Sequence, residues 1–286
     1  MTSYARLIVE ILAVIIGAPI LGAFLMGVDR KITARMQSRQ GPPLLQPFYD
    51  LIKLFRKDAI AVNRIQIVYA YLHLAFMVLA CVLFVLGQDS LMLLFVLAFS
   101  TLSLVMGGMC VRSPYSRIGS QREIIMMVAY EPILILMVVG YYLTNGSFTI
   151  SDAFHSSKPL IQTLPLLFIA FVMVVAVKWQ KSPFDLATSH HAHQEIVKGI
   201  TIEYSGPYLG VIELAHCYEV ALFFVWIGLF GATHWLLGAA LAVAAFFMAI
   251  VMDNLMARLT TMWMFRFMWT IALGLAMTNI LWLYVK

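Results

Sequence analysis

The sequence predicts an all-α integral membrane protein with about eight transmembrane helices and one amphipathic helix on the cytoplasmic side. Apolar residues make up 62% of the chain and charged residues 12%, whereas soluble domains have roughly 45–50% and 25%. The apolar residues form runs of about twenty, the length that a helix needs to cross the hydrocarbon core. These observations exclude an ordinary soluble protein, and we expect one polytopic membrane domain over residues 1–286.

Apolar runs of this length are candidate membrane helices. They cover residues 7–28, 66–87, 90–111, 124–143, 160–178, 206–230, 233–252 and 266–285. The first run carries Glu10 and lacks a strongly basic flank. We therefore expect a retained membrane helix there and not a cleaved signal peptide.

Basic residues predict the orientation in the cell membrane. When alternate loops are assigned to one side, that side receives all of the 19 Lys and Arg residues except Arg6, Lys158 and Lys286. The positive-inside rule then places both termini outside and the large loops in the cytoplasm. Because the positive charge follows membrane topology, the net charge of +5 does not indicate a nucleic-acid partner.

The loop after the first run, about residues 29–65, is predicted to contain the amphipathic helix. Gly41, Pro42 and Pro43 break the chain, and a helical pattern follows them. Apolar residues then recur mostly three or four apart, at Leu44, Leu45, Phe48, Leu51, Ile52, Leu54 and Phe55. A simple interfacial anchor has this pattern, but we favour a docking surface for a soluble partner. Its candidate residues are Arg30, Arg35, Arg39, Asp50 and Lys53.

The second loop on this side leads into a run that carries an acidic residue beside a proline, Glu131 and Pro132. A proline inside a membrane helix frees a backbone carbonyl and tends to kink the helix. A carboxylate at such a kink indicates a polar cavity, and its depth argues against a side chain that merely reaches the headgroups. Arg117 and Arg122 precede the run and are candidates for docking or for the mouth of that cavity.

The stretch from Lys181 to Glu219 concentrates acidic residues in an apolar chain that has 14 of them in all. Carboxylates in a bilayer or at its edge are costly and usually mark an ion or proton path. We therefore expect an acidic loop and helix over about residues 179–219 that carry such a path. The candidates in this stretch are Asp185, Glu195, Glu203, Glu213, His216 and Glu219.

Two spacings predict how these side chains are arranged. Glu195 and Glu203 are eight residues apart, so they share a face if a helix continues through Gly199. Glu213 and Glu219 each lie three residues from His216, so these side chains form a row along one helix. Desolvation raises carboxylate pKa values and histidine titrates near neutral pH, so the row can hold or pass a proton.

A histidine tract, His190, His191 and His193, precedes Glu195 and raises the question of a metal site. The tract has no helical i, i+4 pair and no nearby cysteine. We favour a contact with a partner or a point of proton uptake, and metal binding remains the alternative. The three cysteines have no CxxC spacing, and the chain has no nucleophile-elbow, phosphate-loop or dinucleotide motif. We expect no redox or catalytic centre in this chain.

Several motifs occur together in one order along the chain. They are GPPLLQPFYDLIKLFRKD after Arg30–Arg39, then YSRIGSQREIIMMVAYE, then PFDL followed by QEIVKG, and then EYSG. With these motifs the chain resembles, over essentially its full length, the membrane subunit that joins the soluble arm of respiratory complex I to its membrane arm. It also resembles the relatives of that subunit in group 4 energy-converting NiFe hydrogenases.

Departures from the complex I pattern indicate the hydrogenase branch. Complex I members look like PFDLPEAESELVAG, whereas this chain has three extra residues and reads PFDLATSHHAHQEIVKG. The form SPFDLATSHHAHQE is similar to Ech-type, ferredoxin-linked hydrogenases. His216 stands where complex I usually has a glutamate. We therefore expect no quinone substrate.

The resemblance implies a role in coupling. Glu131, Glu195 and Glu203 would line an acidic funnel, with Arg122 and Asp185 at its mouth. The NiFe centre and the iron–sulfur clusters would belong to partners: the hydrogenase large and small subunits and iron–sulfur subunits. Ferredoxin would exchange electrons with the complex, and an antiporter-like membrane subunit would translocate protons or sodium ions.

Other functions remain as alternatives. A quinone-site subunit of complex I has the same fold and is the closest. A secondary ion transporter would have internal repeats with matching broken helices, and we find no such repeat. A purely structural anchor explains so many carboxylates poorly.

Overall fold

The computed structural model describes residues 3–60, 63–155, 158–187 and 198–285. Within those residues, seven helices are long and apolar enough to cross a membrane. They are α1 (Ser3–Met36), α3 (Arg64–Val85), α4 (Ser90–Met109), α5 (Pro114–Asn145), α9 (Gly206–Leu229), α10 (Trp235–Leu255), and α11 (Thr261–Phe267) continued by α12 (Leu273–Val285). The shorter helices are α2 (Gln46–Phe55), α6 (Ile150–His155), α7 (Leu160–Thr163) and α8 (Pro165–Lys178). The all-α integral membrane class is confirmed.

The first helix is longer than its apolar run predicts. It continues to Met36, so Arg30 and Arg35 lie on α1 and not in a loop. The chain then turns at Gly41, which has φ +71°, a left-handed backbone that glycine adopts without strain. The amphipathic helix follows as α2 and is confirmed. It buries Pro47 and exposes Tyr49 and Ile52.

The fifth predicted run is interrupted at Pro165 and forms α7 and α8. A break inside a membrane protein leaves backbone groups that need partners, and Asn279 of α12 supplies them. Its Oδ1 accepts hydrogen bonds from the backbone N–H groups of Leu166 (2.9 Å) and Leu167 (3.0 Å), and its Nδ2 donates to the Thr163 carbonyl (3.1 Å). The fully buried Asn279 therefore takes the place of a helix cap.

The chain forms two compact units. The first unit comprises Met1–Leu86, Val96–Ile124 and Ala187–Leu222. Its core brings α3, α4 and α9 together with the turn before α9, through Ala70, Leu104, Val105, Ile200, Tyr204, Val211 and Ile212. Between α3 and α4, the Nδ1 of buried His73 lies 2.9 Å from the Ser100 carbonyl and 2.8 Å from its hydroxyl. Such side-chain hydrogen bonds hold membrane helices together.

The second unit comprises Gly87–Phe95, Ile125–Leu186 and Phe223–Lys286. Buried aromatic rings form its centre. Phe171 of α8 lies 5.4 Å from the Trp226 ring and 5.7 Å from the Phe230 ring, and Trp226 donates a hydrogen bond to the Tyr141 hydroxyl at 3.2 Å. These contacts fix the end of α9 against α8 and against α5.

In the first unit, α1 approaches α9 at a glycine. A methyl group at Gly22 would overlap the backbone carbonyl of Cys217, whereas Gly17, five residues earlier on the same helix, has open space around it. Small residues let membrane helices pack closely. The Gly22 contact therefore sets the distance between α1 and the helix that carries Glu213 and His216.

We expect Gly22→Ala to destabilise the full-length protein by about 1–3 kcal/mol, because the added methyl forces the two backbones apart. Gly17→Ala is the matched control and is expected to be neutral or stabilising, since alanine favours a helix over glycine by roughly 0.5–1 kcal/mol. Thermal unfolding of the purified variants in detergent measures the difference. Equal unfolding temperatures for the two variants would contradict a close contact at Gly22.

Candidate functional site

Most of the predicted site residues lie in described parts of the chain. Glu195 and the tract His190, His191 and His193 lie outside the described residues. Glu131 and Asp185 belong to the second unit, and the other described candidates belong to the first.

The row predicted on one helix lies on α9, the most buried of the seven long helices in the described chain. Glu213, His216 and Glu219 are partly buried there. The Nδ1 of His216 lies 3.4 Å from a carboxylate oxygen of Glu219, and their side chains are 20% and 12% exposed. A carboxylate beside a histidine on a largely buried face can accept, hold and release a proton.

Other polar groups of the first unit lie beside this row. The Cys217 thiol of α9 lies 3.8 Å from the Met26 sulfur of α1, and Cys81 belongs to α3. The Cys81 thiol lies 3.6 Å from the Tyr218 carbonyl. Together these contacts link α1, α3 and α9 around the row.

The turn before α9 carries Glu203 and corrects one prediction. An α-helix does not continue through Gly199, which has φ +51° and begins a 3-10 turn, Gly199–Thr201. A right-handed helix cannot include that backbone conformation. Glu203 is half-buried in the following turn, and the hydroxyl of its buried neighbour Tyr204 packs where a side chain on Gly107 would lie. The burial of Tyr204 raises the pKa of its hydroxyl.

The junction of α1 and α2 contains the predicted docking residues Arg30 and Asp50. Arg30 Nη1 lies 2.7 Å from Asp50 Oδ2, and Gln46 Nε2 donates to Asp50 Oδ1 at 2.9 Å. Burial alone would raise the pKa of Asp50, but the hydrogen bonds from Arg30 and Gln46 and the nearby charge of Lys53 lower it. Both partners remain about two-fifths exposed, so this pair contributes little stability and mainly fixes the direction of α2.

The remaining basic candidates differ in exposure. Arg122 is half-buried on α5. Arg117 donates through Nε to the Val111 carbonyl at 3.3 Å. The exposed candidates are Arg35, Arg39, Lys53 and Arg117.

In the second unit, Glu131 has a cationic neighbour that the sequence did not reveal. The helix α5 runs without interruption through Pro132, and Glu131 is half-buried on it. The positive charge of Lys178, the last residue of α8, acts on Glu131. Its Nζ lies 4.7 Å from the centre of the Tyr130 ring, within the range of a cation–π contact.

Asp185 lies in a loop of the second unit that is fixed at several points. Arg258 donates through Nε (2.8 Å) and Nη2 to the Asp185 backbone carbonyl. Asp253 accepts from the Ser182 N–H at 2.8 Å and lies 3.3 Å from Lys181 Nζ. The Asp185 side chain is buried, and its Oδ1 has no hydrogen-bond partner among the described residues. Burial raises the pKa of Asp185 to about 6, against the opposing charge of Arg258.

Sequence reasoning missed Lys178 and Arg258 as the cations whose charges act on Glu131 and Asp185, and it missed Asp253 as a residue that fixes the Asp185 loop. Lys178 and Arg258 were counted only as loop charges that set orientation. Lys178 and Asp253 lie at or just beyond the end of an apolar run, and Arg258 lies between two runs. Such positions indicate helix ends or loops and nothing about the partner. Within the described residues, no group of three or more His, Cys, Asp or Glu side chains is arranged to hold a metal ion.

Known proteins resemble this chain in sequence and in fold. The family described as NADH dehydrogenase matches residues 9–284. An NADH-quinone oxidoreductase subunit of Syntrophotalea carbinolica is 30% identical over 316 residues, covering 96% of this chain and 94% of the relative. The hydrogenase-4 component C of Escherichia coli is 30% identical over 204 residues, covering 65% of this chain and 63% of the relative.

A solved structure has the same fold. A chain of the membrane-bound sulfane sulfur reductase, an archaeal respiratory membrane complex, superposes with a TM-score of 0.87 at 24% identity, covering 97% of this chain and 99% of that chain. The sequence match extends over nearly the whole chain and includes relatives at 30% identity. The multi-pass membrane protein described here therefore belongs to the NADH dehydrogenase family, as its motifs indicated.

Proposed function

We propose that this chain is the membrane-anchoring and coupling subunit of an energy-converting NiFe hydrogenase complex in the cell membrane. The chain would hold no redox centre. Partners would supply the NiFe large subunit, the small subunit and the iron–sulfur subunits, which exchange electrons with ferredoxin and evolve or consume hydrogen. An antiporter-like membrane subunit would move the coupling ion, a proton or a sodium ion.

The observation that carries the coupling role is the titratable row on α9. Glu213, His216 and Glu219 lie on the most buried of the long helices in the described chain, and two of them are 3.4 Å apart. Burying ionisable groups in a membrane is costly and is tolerated mainly where they move charge. An anchor that only attaches soluble subunits needs no such row.

The branch of the family is inferred from the loop sequence. SPFDLATSHHAHQE resembles the Ech-type form, and the hydrogenase-4 component C relative is consistent with a hydrogenase context. A quinone-site subunit of complex I is the second candidate, because other relatives belong to NADH-quinone oxidoreductases. His216, in place of the usual glutamate, favours the first candidate.

Coupling would begin at the docking surface. We place that surface in the cytoplasm and both termini outside, following the distribution of basic residues. The Arg30–Asp50 pair joins α2 to α1, and α1 packs on α9 at Gly22. A partner that moves α2 during its redox cycle would therefore act on the helix that carries the row. Glu131, Glu195 and Glu203 would continue the path, with Asp185 and Arg122 at its mouth.

Isolation of the complex tests the assignment to a hydrogenase. An affinity-tagged full-length chain, extracted from native membranes in mild detergent, is expected to retain a NiFe large subunit and iron–sulfur subunits. The complex is expected to evolve hydrogen from reduced ferredoxin at the same rate with and without added quinone. Mass spectrometry identifies the subunits that the complex retains, and a hydrogen assay compares the rates with and without quinone. Quinone-dependent NADH oxidation without a NiFe subunit would instead favour the second candidate.

The pKa of Asp185 predicts how pH affects stability. Burial raises this pKa from 3.8 to about 6, so the folded protein keeps a proton that the unfolded chain releases at lower pH. The contribution of this proton to the free energy of unfolding is full below about pH 4 and is lost as the pH rises through about 6.

Asp185→Asn removes this dependence. The unfolding temperature of the Asp185→Asn complex, relative to the wild type, is therefore expected to rise between about pH 4 and about pH 7. Asp58→Asn, at an exposed position, is the control and is expected to show a constant difference. Calorimetry across this pH range measures both. A constant difference for Asp185→Asn would contradict a buried carboxyl that binds a proton near pH 6.

A further inference from the structure

Two of the long membrane helices contain a proline in their interior, Pro19 in α1 and Pro132 in α5, and each helix continues through it. Because proline has no backbone N–H, the carbonyl group four residues earlier receives no hydrogen bond from it. These carbonyl groups belong to Ile15 and Val128. The hydrocarbon core of a bilayer contains no water to replace the missing donor, so each carbonyl needs a donor from elsewhere in the protein.

The donor for Ile15 is the side chain of Tyr218 on α9. Its hydroxyl donates to the Ile15 carbonyl at 2.5 Å, and Tyr218 is only 4% exposed. Ile15 lies near the middle of the apolar run 7–28, away from the water at either end. A buried tyrosine hydroxyl needs a partner just as the carbonyl does. One hydrogen bond between α1 and α9 therefore satisfies both groups.

Tyr218 is also held by a second helix. The thiol of Cys81 on α3 lies 3.6 Å from the Tyr218 carbonyl, so Tyr218 contacts α1 through its side chain and α3 through its backbone. The same turn of α9 carries His216 and Glu219, whose side chains lie 3.4 Å apart. Side-chain direction on a helix follows the rotation of the helix about its axis. Fixing Tyr218 between α1 and α3 therefore fixes the direction in which these two side chains point.

The donor for Val128 is the indole of Trp269, which lies in the π-helical turn Met268–Ala272. Its Nε1 donates to the Val128 carbonyl at 3.4 Å, a longer bond than that of Tyr218. The Trp269 ring stacks on the Phe265 ring, with 5.3 Å between the ring centres. Val128 lies about one turn before Glu131. The same arrangement therefore recurs in the second unit, beside another candidate carboxylate.

Packing alone does not explain why position 218 is a tyrosine. A phenylalanine fills the same space apart from the hydroxyl, and the close approach of α1 to α9 is already set at Gly22. A hydroxyl in the apolar part of a membrane protein is costly unless it has a partner. Its partner is the carbonyl that Pro19 leaves without a helical donor.

We propose that Tyr218 and Trp269 are positioning residues of the proposed ion path, each of which caps a backbone carbonyl that a proline frees in another helix. The Tyr218 bond sets the direction of His216 and Glu219, and the Trp269 bond sets that of Glu131. The positioning role rests on the proposed coupling function, whereas the capping bonds do not. Unfolding measures the bonds, and ion translocation measures the positioning.

Thermal unfolding of the full-length protein in detergent tests the bond to α1. Tyr218→Phe leaves the Ile15 carbonyl without a donor, so we expect the unfolding temperature to fall by a few degrees. In a Pro19→Ala background the new backbone N–H donates to that carbonyl within the helix. We therefore expect Tyr218→Phe to cause a much smaller fall there. Tyr49→Phe, at an exposed position, is the control and is expected to change the temperature in neither background.

Equal shifts for Tyr218→Phe in the two backgrounds would overturn the proposal for Tyr218, because the hydroxyl would then act independently of the proline. The cycle also covers the case in which Tyr218→Phe yields no folded protein. Recovery of folded protein on adding Pro19→Ala supports the capping bond, and failure to recover it overturns the bond.

The same comparison applies to α5. Trp269→Phe removes the indole donor and makes the ring smaller. The change in ring size is common to both backgrounds and cancels when they are compared. We expect Trp269→Phe to lower the unfolding temperature more with the proline present than in a Pro132→Ala background. Trp263→Phe, at an exposed tryptophan, is the control and is expected to give equal shifts. Equal shifts for Trp269→Phe would overturn the proposal for Trp269.

The positioning role is measured in proteoliposomes that contain the complete complex, as ions translocated per hydrogen evolved. Pro19→Ala is expected to remain coupled, because a carbonyl oxygen has two lone pairs and can still accept from the Tyr218 hydroxyl. Tyr218→Phe is expected to lower the ratio, and the Pro19→Ala/Tyr218→Phe double variant is expected to keep the lowered ratio although its stability is recovered, because the tie between α1 and α9 is still missing.

A double variant with recovered stability and the wild-type ratio would overturn the positioning role, since Tyr218 would then contribute stability alone. A wild-type complex that evolves hydrogen without moving ions would instead refute the proposed coupling function and leave the unfolding results standing. The two failures are therefore distinguishable.

Discussion

A charged side chain in the apolar part of a membrane protein needs an opposite charge, hydrogen bonds or a route to water, because uncompensated burial costs several kcal/mol. In the second unit, Lys178 is buried against Tyr130, and its charge acts on Glu131. In the first unit, His216 lies beside Glu219 on α9. Each of these contacts holds two side chains in fixed positions. Each contact therefore also restrains the segments of chain that carry those side chains.

The same constraint applies to the backbone. The break between α7 and α8 exposes N–H and C=O groups where water is absent, and the side chain of Asn279 satisfies three of them. This contact joins α12 to the start of the helix that ends in Lys178. The position of the buried lysine therefore depends on a polar residue of a distant helix. Architecture and candidate site have the same physical cause, the need to satisfy polar groups in an apolar protein.

Patterns that are local in sequence were predictable. Hydropathy located the membrane helices, and the three-residue spacing predicted that His216 and Glu219 lie side by side, as they do on α9 at 3.4 Å. Hydropathy also predicted too early an end for the first helix, because Asp29 and Arg30 interrupt the apolar run although the backbone stays helical. The contact of Lys178 with the Tyr130 ring was not predictable, since it joins residues far apart in the chain. The left-handed backbone of Gly199 likewise depends on tertiary packing and not on local propensity.

The central claim is that buried carboxylates couple redox chemistry to ion movement. Its most direct test is the number of ions translocated per hydrogen evolved by proteoliposomes that contain the complete complex with Glu203→Gln. Glu10→Gln, whose carboxylate is 41% exposed and pairs with Arg6, is the control. We expect Glu203→Gln to evolve hydrogen with little or no ion translocation, and Glu10→Gln to remain coupled. Full coupling in an assembled Glu203→Gln complex would contradict the account.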